Sequence, residues 1–297
     1  MFSYRHAFHA GNHADVLKHI VLIQVLLYAC RKETPFFYID THAGGGIYSL
    51  HGSEAGKSDE FRDGIGRLWN EKTVPEAVEE YLRLIRSVNP DGVLNAYPGS
   101  PFIADAVLRD NDRLRLFEMH PSEIQVLQKN IQQLSRRKQA EGYVTQGRGK
   151  RTIVEKKDGF SILKSLLPPP SRRAVILIDP PYEDKSDYRK VVDTLKDALK
   201  RFSTGTYLVW YPLLQRNESR QFTGRLRQAV SQEWLDVTLS TGSPVPDGSG
   251  FVSSGMFIVN PPWKLDEILK ETMPCLVALL RKDRGARFTL ETGTQGK

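Results

Sequence analysis

Strand-like and helix-like segments alternate along most of this chain, and that order restricts the fold more than any other feature. Each clear strand candidate is followed by an amphipathic helix, which is typical of a mostly parallel sheet with helices on both faces. The last two candidates, LDVTLST and SGMFIVNPPW, have no clear helix between them and predict an antiparallel hairpin at the sheet edge. The sequence therefore predicts an α/β fold of the doubly wound kind.

The chain has 297 residues, a length that fits one large domain, here 1–297. Residues 47–95 contain two amphipathic segments without a strand between them, which predicts a helical insert within that domain. The apolar segment 16–30 is shorter than the roughly 20 residues of a membrane span and predicts a buried helix. The final ETGTQGK is expected to be a frayed tail.

The composition is basic, with a formal net charge of +7 from 42 Lys and Arg against 35 Asp and Glu. Most of this surplus lies in the segment 135–157, interpreted here as a basic loop that contacts RNA phosphates or is simply solvated. Its charged residues are Arg136, Arg137, Lys138, Arg148, Lys150, Arg151, Lys156 and Lys157, against Glu141 and Glu155. Cys30 and Cys275 lie far apart, which argues against a disulfide framework and favours a reducing, cytoplasmic setting.

Acidic residues end four of the predicted strands: Asp40, Glu118, Asp158 and Asp179. In open α/β sheets, ligands bind beyond the carboxyl ends of the strands. A glycine loop, THAGGG, follows Asp40, and an acidic residue at the next strand end is the usual partner of ribose hydroxyls. Together the two features predict a site for a nucleoside-containing cofactor. The YPGSP segment predicts a helix start with Ser100 as N-cap and Pro101 at the first helical position.

The apolar strand AVILI ends in DPPY, Asp179 to Tyr182. Prolines lack an N–H, so the Pro180 carbonyl is a rigid acceptor beside the Asp179 carboxylate. Two such acceptors suit an exocyclic amine with two N–H groups, and holding both hydrogens directs the nitrogen lone pair towards an electrophile. Tyr182 is predicted to stack on the base that carries the amine.

DPPY is the motif of amino methyltransferases that use S-adenosyl-L-methionine. Over nearly the whole chain the sequence resembles the bacterial family that methylates N6 of an adenine in 23S ribosomal RNA, the large-subunit adenine-N6-methyltransferase J family. The resemblance rests on YRHAFHAGNHADVLKH, DTHAG, YPGSP, LFEMHP, DGF, LIDPPYE and NPPWKL. It implies a Rossmann-like methyltransferase fold with a seven-stranded sheet, and a monomeric enzyme that is not membrane-bound.

The resemblance also implies roles for individual residues. Asp179, Pro180 and Tyr182 are the expected catalytic residues, and Tyr4 and His6 are expected near the substrate base. The residues expected to bind the cofactor are His19, His42, Gly44, Ser100, Glu118, Asp158, Gly159 and Asp179.

Several alternatives stay open on the sequence alone. NPPW, which starts at Asn260, has the same form as DPPY, but its position near the chain end favours a structural turn. The histidines His6, His9, His13 and His19 lack nearby cysteines, so a metal site is not expected. A DNA adenine methyltransferase would share DPPY but usually has a separate recognition domain, and a protein-glutamine methyltransferase usually has asparagine before PPY. A non-catalytic RNA-binding or ribosome-assembly module is the rival of another class.

Overall fold

A central sheet of eight strands carries the fold in the computed structural model, which describes residues 6–51, 59–140, 142, 150–243 and 251–294. A separate two-stranded ribbon pairs β2 with β3. The strands are β1 (Phe37–Asp40), β2 (Ile47–Ser49), β3 (Ala96–Pro98), β4 (Arg113–Phe117), β5 (Thr152–Glu155), β6 (Ala174–Ile178), β7 (Thr206–Pro212), β8 (Trp234–Ser240), β9 (Ser253–Val259) and β10 (Arg287–Gly293).

The order in the large sheet is β10-β8-β9-β7-β6-β1-β4-β5. The five adjacent strands β7, β6, β1, β4 and β5 pair in parallel. β9 lies antiparallel between β7 and β8, and β10 pairs antiparallel with β8. Thus β9 and β10 run against the other six strands. The predicted Rossmann-like α/β class is confirmed, but the sheet has eight strands instead of seven, and the antiparallel pair β8 and β9 is not at the edge.

β10 is the edge strand that the sequence interpretation missed. Residues Glu291–Gly293, predicted to belong to a frayed tail, pair with β8, and Phe288 and Leu290 pack against the core. Arg227 also pairs with Glu291 at 2.8 Å. The alternation of apolar and polar residues in RFTLETG is the period-two pattern of a half-buried strand, so a local signal was present.

Helices cover both faces of the sheet. They are α1 (His13–Cys30), α2 (Ile65–Leu68), α3 (Glu76–Ser87), α4 (Ser100–Val107), α5 (Pro121–Ala140), α6 (Gly159–Leu166), α7 (Ser186–Arg201), α8 (Asn217–Arg220), α9 (Phe222–Ala229) and α10 (Leu265–Leu280). Two short 3-10 helices span His6–Phe8 and Glu60–Asp63.

Helix α1 is the buried helix that its apolar sequence predicts. The Asn12 side chain caps it by accepting from the backbone N–H groups of Ala14 and Asp15. Its 18 residues are apolar enough to cross a membrane by length and composition, but 78% of them are buried inside the protein. The helix packs against α3, α4, α10 and β9, so burial in the core accounts for its composition.

The insert predicted over residues 47–95 begins with a strand and not with a helix. Ile47 to Ser49 form β2, which pairs with β3 just beyond the insert. The apolar side chains of α2 and α3 belong to the same buried cluster as those of α1. The insert is therefore part of the main core and has no separate core of its own within the described residues.

The segment predicted as a basic loop over 135–157 includes the end of a helix and a strand. Helix α5 continues to Ala140, and Thr152–Glu155 form β5. Arg151 is only 8% exposed, and it forms a buried ion pair with Asp105. This pair compensates for the cost of burying the charge of Arg151. Helix α5 connects β4 to the parallel strand β5. Its C-terminal end therefore lies near the amino-terminal ends of these strands, away from their carboxyl ends. Arg148 lies outside the described residues.

Candidate functional site

The carboxyl ends of β1, β4, β5 and β6 surround one cleft of about 1540 Å³. Glu118, Asp158 and Asp179 line it, as do His42, Gly44 and Ser100. The volume exceeds the roughly 300–1,000 Å³ of a single small-molecule site, which leaves room for a cofactor and a second ligand.

The glycine loop and Glu118 form the first part of the cleft wall. The Gly44 N–H donates to Glu118 Oε2 at 2.8 Å, and the His120 N–H donates to Oε1 at 2.7 Å. Gly44 has φ +58°, and a Cβ there would lie 2.3 Å from the Tyr48 hydroxyl, so a side chain is excluded by both conformation and space. The Glu118 carboxylate is thereby fixed as an acceptor that faces the cleft.

Ser100 does not cap its helix as predicted. Gly99 occupies the N-cap position of α4, and the Ser100 hydroxyl donates to Asp40 Oδ2 at 2.7 Å. The Tyr38 hydroxyl donates to the same oxygen at 2.8 Å. Burial raises the pKa of Asp40 to about 6, although the hydrogen bonds from Ser100 and Tyr38 lower it. Ser100 therefore lines the cleft and also stabilises the buried Asp40 carboxyl at the end of β1 by a hydrogen bond.

Asp179 is held by a buried lysine from the first helix. Lys18 Nζ lies 2.7 Å from Asp179 Oδ2 and 2.8 Å from Asp15 Oδ1. Burial alone would lower the pKa of Lys18, but Asp15 and Asp179 raise it above its usual value, so Lys18 is an ammonium. Oδ1 of Asp179 has no protein partner within the described residues. One oxygen of the motif is thus anchored, and the other remains an acceptor in the cleft.

The N-terminal segment reaches the same network. His6 Nε2 lies 3.0 Å from Asp15 Oδ2, and the Gly11 N–H donates to that oxygen at 2.9 Å. The His6 ring also lies 5.1 Å from the ring of Tyr48, whose hydroxyl accepts from the Gly45 N–H. His6 lines the cleft, whereas Tyr4 lies outside the described residues.

Tyr182 lines the cleft, yet its side chain is only 2% exposed. Its hydroxyl donates to the Trp210 carbonyl at 2.7 Å, and its ring packs against those of Tyr188 and Phe222. Most of its surface is therefore occupied by the protein core. Trp210, which is half-buried and has a buried indole N–H without a partner among the described residues, is the neighbouring aromatic wall.

Two predicted cofactor residues lie behind the cleft wall. His19 is fully buried, and its Nδ1 lies 2.8 Å from the Tyr97 hydroxyl. Burial lowers the pKa of His19 to about 3, so it is neutral. Gly159 is buried at the start of α6, where a Cβ would lie 2.0 Å from the Thr41 carbonyl oxygen. Asp158 caps α6 by accepting from the Phe160 N–H and remains exposed in the cleft.

His42 shapes the wall between β1 and α6. Its Nδ1 lies 2.8 Å from Thr41 Oγ1, and its ring meets Phe160 edge-on at 4.9 Å. Burial lowers the pKa of His42 to about 4. The ring is therefore neutral and presents an uncharged surface to the cleft.

The two competing sequence interpretations concern Asn260 and the N-terminal histidines. Asn260 has φ +53° and donates to the carbonyls of Ser203 and Gly205. Asn260 follows β9, which runs antiparallel to the strand before Asp179, so the two residues lie at opposite ends of the strands. NPPW is therefore a structural turn. No group of three or more potential metal ligands occurs in the described part of the chain.

The sequence interpretation did not single out Lys18, Asp15, Trp210 or Arg216. For Lys18 a signal existed, because a charged residue in an otherwise apolar, buried helix must find an opposite charge. The identity of that partner, 161 residues further along the chain, has no local signal.

A mostly parallel sheet, a glycine loop bonded to a carboxylate at the next strand end, and DPPY at the central strand end together define an S-adenosylmethionine-dependent methyltransferase of the Rossmann-like class. Residues 33–290 match the family described as ribosomal RNA large subunit methyltransferase D, RlmJ. The chain belongs to this family, and the predicted family resemblance is confirmed.

Relatives of nearly the same length support the assignment. The chain is 42% identical over 276 residues to ribosomal RNA large subunit methyltransferase J of Escherichia coli, covering 93% of each chain. It is 41% identical over 292 residues to the protein of that name from Haemophilus influenzae, covering 98% of each. A crystal structure of a Legionella pneumophila protein is similar with a TM-score of 0.84 at 34% identity, covering 97% of this chain and 99% of the other.

Proposed function

We propose that this chain transfers a methyl group from S-adenosylmethionine to N6 of a specific adenine in 23S ribosomal RNA. The observation that carries the proposal is the Asp179 carboxylate, with Oδ2 held by Lys18 and Oδ1 left as an acceptor in the cleft. The RNA assignment draws on the relatives, which are named ribosomal RNA large subunit methyltransferase J. The protein is proposed to act as a cytoplasmic monomer.

The residues around β1, β4 and β5 fit the cofactor. The Glu118 carboxylate, oriented by two backbone N–H groups, would accept from the ribose hydroxyls, and Asp158 would accept from the adenine amine. Gly44 lines the cleft, and its N–H holds the Glu118 carboxylate in place. When bound, the cofactor supplies an electrophilic methyl group on a sulfonium. His42 and Ser100 would complete the wall, whereas Gly159 and His19 would support it from behind.

Asp179 and Pro180 would position the target amine. Oδ1 of Asp179 and the Pro180 carbonyl accept its two N–H groups, so the nitrogen lone pair points away from both acceptors. Much of the rate gain from such a site comes from orientation. The Lys18 ammonium keeps the carboxylate in place by a charge-assisted hydrogen bond. As the N–C bond forms and the methyl–sulfur bond breaks, the amine would lose one proton, for which Asp179 Oδ1 is the nearby acceptor.

The target base must leave its stack to reach this cleft. Trp210 and Phe251 line the cleft beside Asp179 and would contact the base together with the small exposed part of Tyr182. In this arrangement the Tyr182 hydroxyl also holds the backbone of Trp210. His6, which lines the cleft, and Tyr4 are proposed to lie near the base.

The test is methyl transfer from labelled S-adenosylmethionine to separated ribosomal RNA, DNA and protein, followed by mapping of the labelled nucleotide. Label at N6 of one adenine in 23S rRNA is expected. Asp179→Ala is expected to lose at least about 100-fold in kcat. Asn260→Ala serves as the control, because it alters the other motif of the same form and should keep kcat.

Label in DNA instead of RNA would favour the rival adenine methyltransferase reaction on that substrate. An Asp179→Ala variant that transfers methyl groups at close to the parent rate would remove Asp179 from the mechanism. RNA binding without any transfer would favour a non-catalytic assembly role.

A further inference from the structure

Arg216, in the segment after β7, forms part of the cleft wall beside the DPPY turn. Its Nη2 donates to the Tyr182 carbonyl at 2.6 Å and to the Tyr188 hydroxyl at 3.1 Å, and its Nε donates to the same hydroxyl at 3.3 Å. The guanidinium also lies 4.9 Å from the centroid of the Tyr188 ring. One edge of the guanidinium is therefore fixed on the protein.

The remaining nitrogen, Nη1, has no acceptor within the described residues, and the side chain is only half-buried. Two of the other cations that line the cleft are paired with carboxylates. Lys18 is held between two carboxylates, and Lys190 pairs with Asp184 and Asp187. Arg216 thus presents two unused N–H donors in a fixed orientation, which suits the planar recognition of a phosphate.

The position of Arg216 separates it from the cofactor residues. β7 lies on one side of β6, whereas β1, β4 and β5, which carry the glycine loop, Glu118 and Asp158, lie on the other. Tyr182, which Arg216 contacts, is three residues after Asp179 and so at most about 11 Å from it along the chain. Arg216 is therefore on the substrate side of the target amine.

We propose that Arg216 binds a backbone phosphate of the RNA strand next to the extruded adenosine. This inference rests on the proposed function, since it assumes an RNA substrate in the cleft. Three of the nearby carboxylates have a cation beside them: Asp184 and Asp187 share Lys190, and Glu218 lies 3.9 Å from Lys185. A phosphate held there would fix the strand while the protein holds the DPPY turn.

The test is the salt dependence of binding to unmodified 23S rRNA transcribed in vitro, measured for four variants. The plot of log K against log [NaCl] has a negative slope. Arg216→Ala and Arg216→Gln are expected to make this slope less steep by about 0.7 to 0.9, the value for one phosphate contact. Arg216→Lys keeps the charge and should keep the slope. Arg220→Ala removes an exposed arginine one turn along α8 that does not line the cleft, and should also keep it. Gln at position 216 retains a donor for the Tyr182 carbonyl, so the readout survives if the alanine variant is unstable.

A wild-type slope in Arg216→Gln, or an equal loss in Arg220→Ala, would overturn the inference. Both results are compatible with wild-type methylation of rRNA and leave the proposed function intact. Failure of the proposed function would appear separately, as a wild-type protein that labels no ribosomal RNA.

Discussion

At the scale of single residues, the cleft depends on carboxylates with three different environments. Glu118 is fixed by two backbone N–H groups, and Asp179 by the Lys18 ammonium. Asp40 is fully buried and accepts from two hydroxyls instead of pairing with a cation. The absence of a cationic partner within the described residues explains why burial raises its pKa to about 6.

Asp40 gives a prediction for stability against pH. A carboxyl whose pKa is about 6 in the folded state and 3.8 in the unfolded state contributes stability below pH 4 that is lost as the pH rises through 6. The loss is about 3 kcal/mol. Asp40→Asn does not titrate, so its free energy of unfolding should increase relative to that of the wild type by about this amount between pH 4 and pH 7. Denaturant unfolding at several pH values measures it, and a constant difference between the two proteins would contradict the raised pKa.

At the scale of elements, the backbones of α6 and of the loop after β1 are in direct contact. A Cβ at Gly159 would lie 2.0 Å from the Thr41 carbonyl oxygen, and Thr41 itself bonds to Leu177 of β6 through its N–H and hydroxyl. The absence of a side chain at the first residue of α6 therefore brings Asp158 and Phe160 to His42. This glycine was predicted to bind the cofactor, whereas its geometry indicates that it positions Asp158 and Phe160, which line the cleft.

Gly159→Ala should lower the free energy of unfolding by about 1 to 3 kcal/mol, because the new methyl group meets backbone and not a flexible side chain. Cofactor affinity should also fall, since α6 must shift away from the loop. Gly224→Ala is the matched control: nothing lies within 4 Å of a Cβ there, and alanine in a helix is favoured by up to about 1 kcal/mol. Thermal unfolding and cofactor titration of both variants distinguish a packing effect from a general effect of alanine.

Features that depend on residues close together in the sequence could be predicted, whereas contacts between distant residues could not. The strand ends at Asp40, Glu118, Asp158 and Asp179 were predictable because an apolar run and its polar end are local signals. The partners were not, since Lys18 meets Asp179 across 161 residues and Ser100 meets Asp40 across 60. The prediction of a basic loop over 135–157 was wrong for Arg151 for the same reason. The composition of the segment does not reveal that Arg151 has a buried partner in Asp105.

At the scale of the whole molecule, three histidines are neutral: His13 and His19, which are buried, and His42, which is half-buried in the cleft wall. Burial lowers the pKa of His13 to about 4, of His19 to about 3 and of His42 to about 4. Each contributes stability that is fully present above pH 6.5 and is lost as the pH falls towards the folded pKa, because the unfolded state binds protons first. Groups whose pKa is raised act in the opposite direction: Asp40, His9, Asp187 and Asp236.

The protein should therefore become less stable on acidification from pH 7 to pH 5. His13 lies outside the cleft, with its ring 5.0 Å from that of Phe251, so His13→Phe removes one titrating group while keeping an aromatic ring. The stability difference between the two pH values should shrink by about 2 kcal/mol in this variant. Chemical denaturation at both pH values checks it, and an unchanged difference would exclude His13 as a source of the acid sensitivity.

The position of α1 has a consequence for the way the chain is made. This apolar helix is synthesised before β1 to β10, yet it packs against β9, more than 200 residues later in the chain. At about 5 to 20 residues per second, the helix leaves the ribosome roughly 10 to 50 s before the strand that covers it. During that interval its apolar surface has no native cover from β9, and Lys18 has no Asp179 until β6 has followed. The nascent chain is therefore expected to need chaperone protection from its N-terminal end onward, and to form its catalytic cleft only near the end of translation.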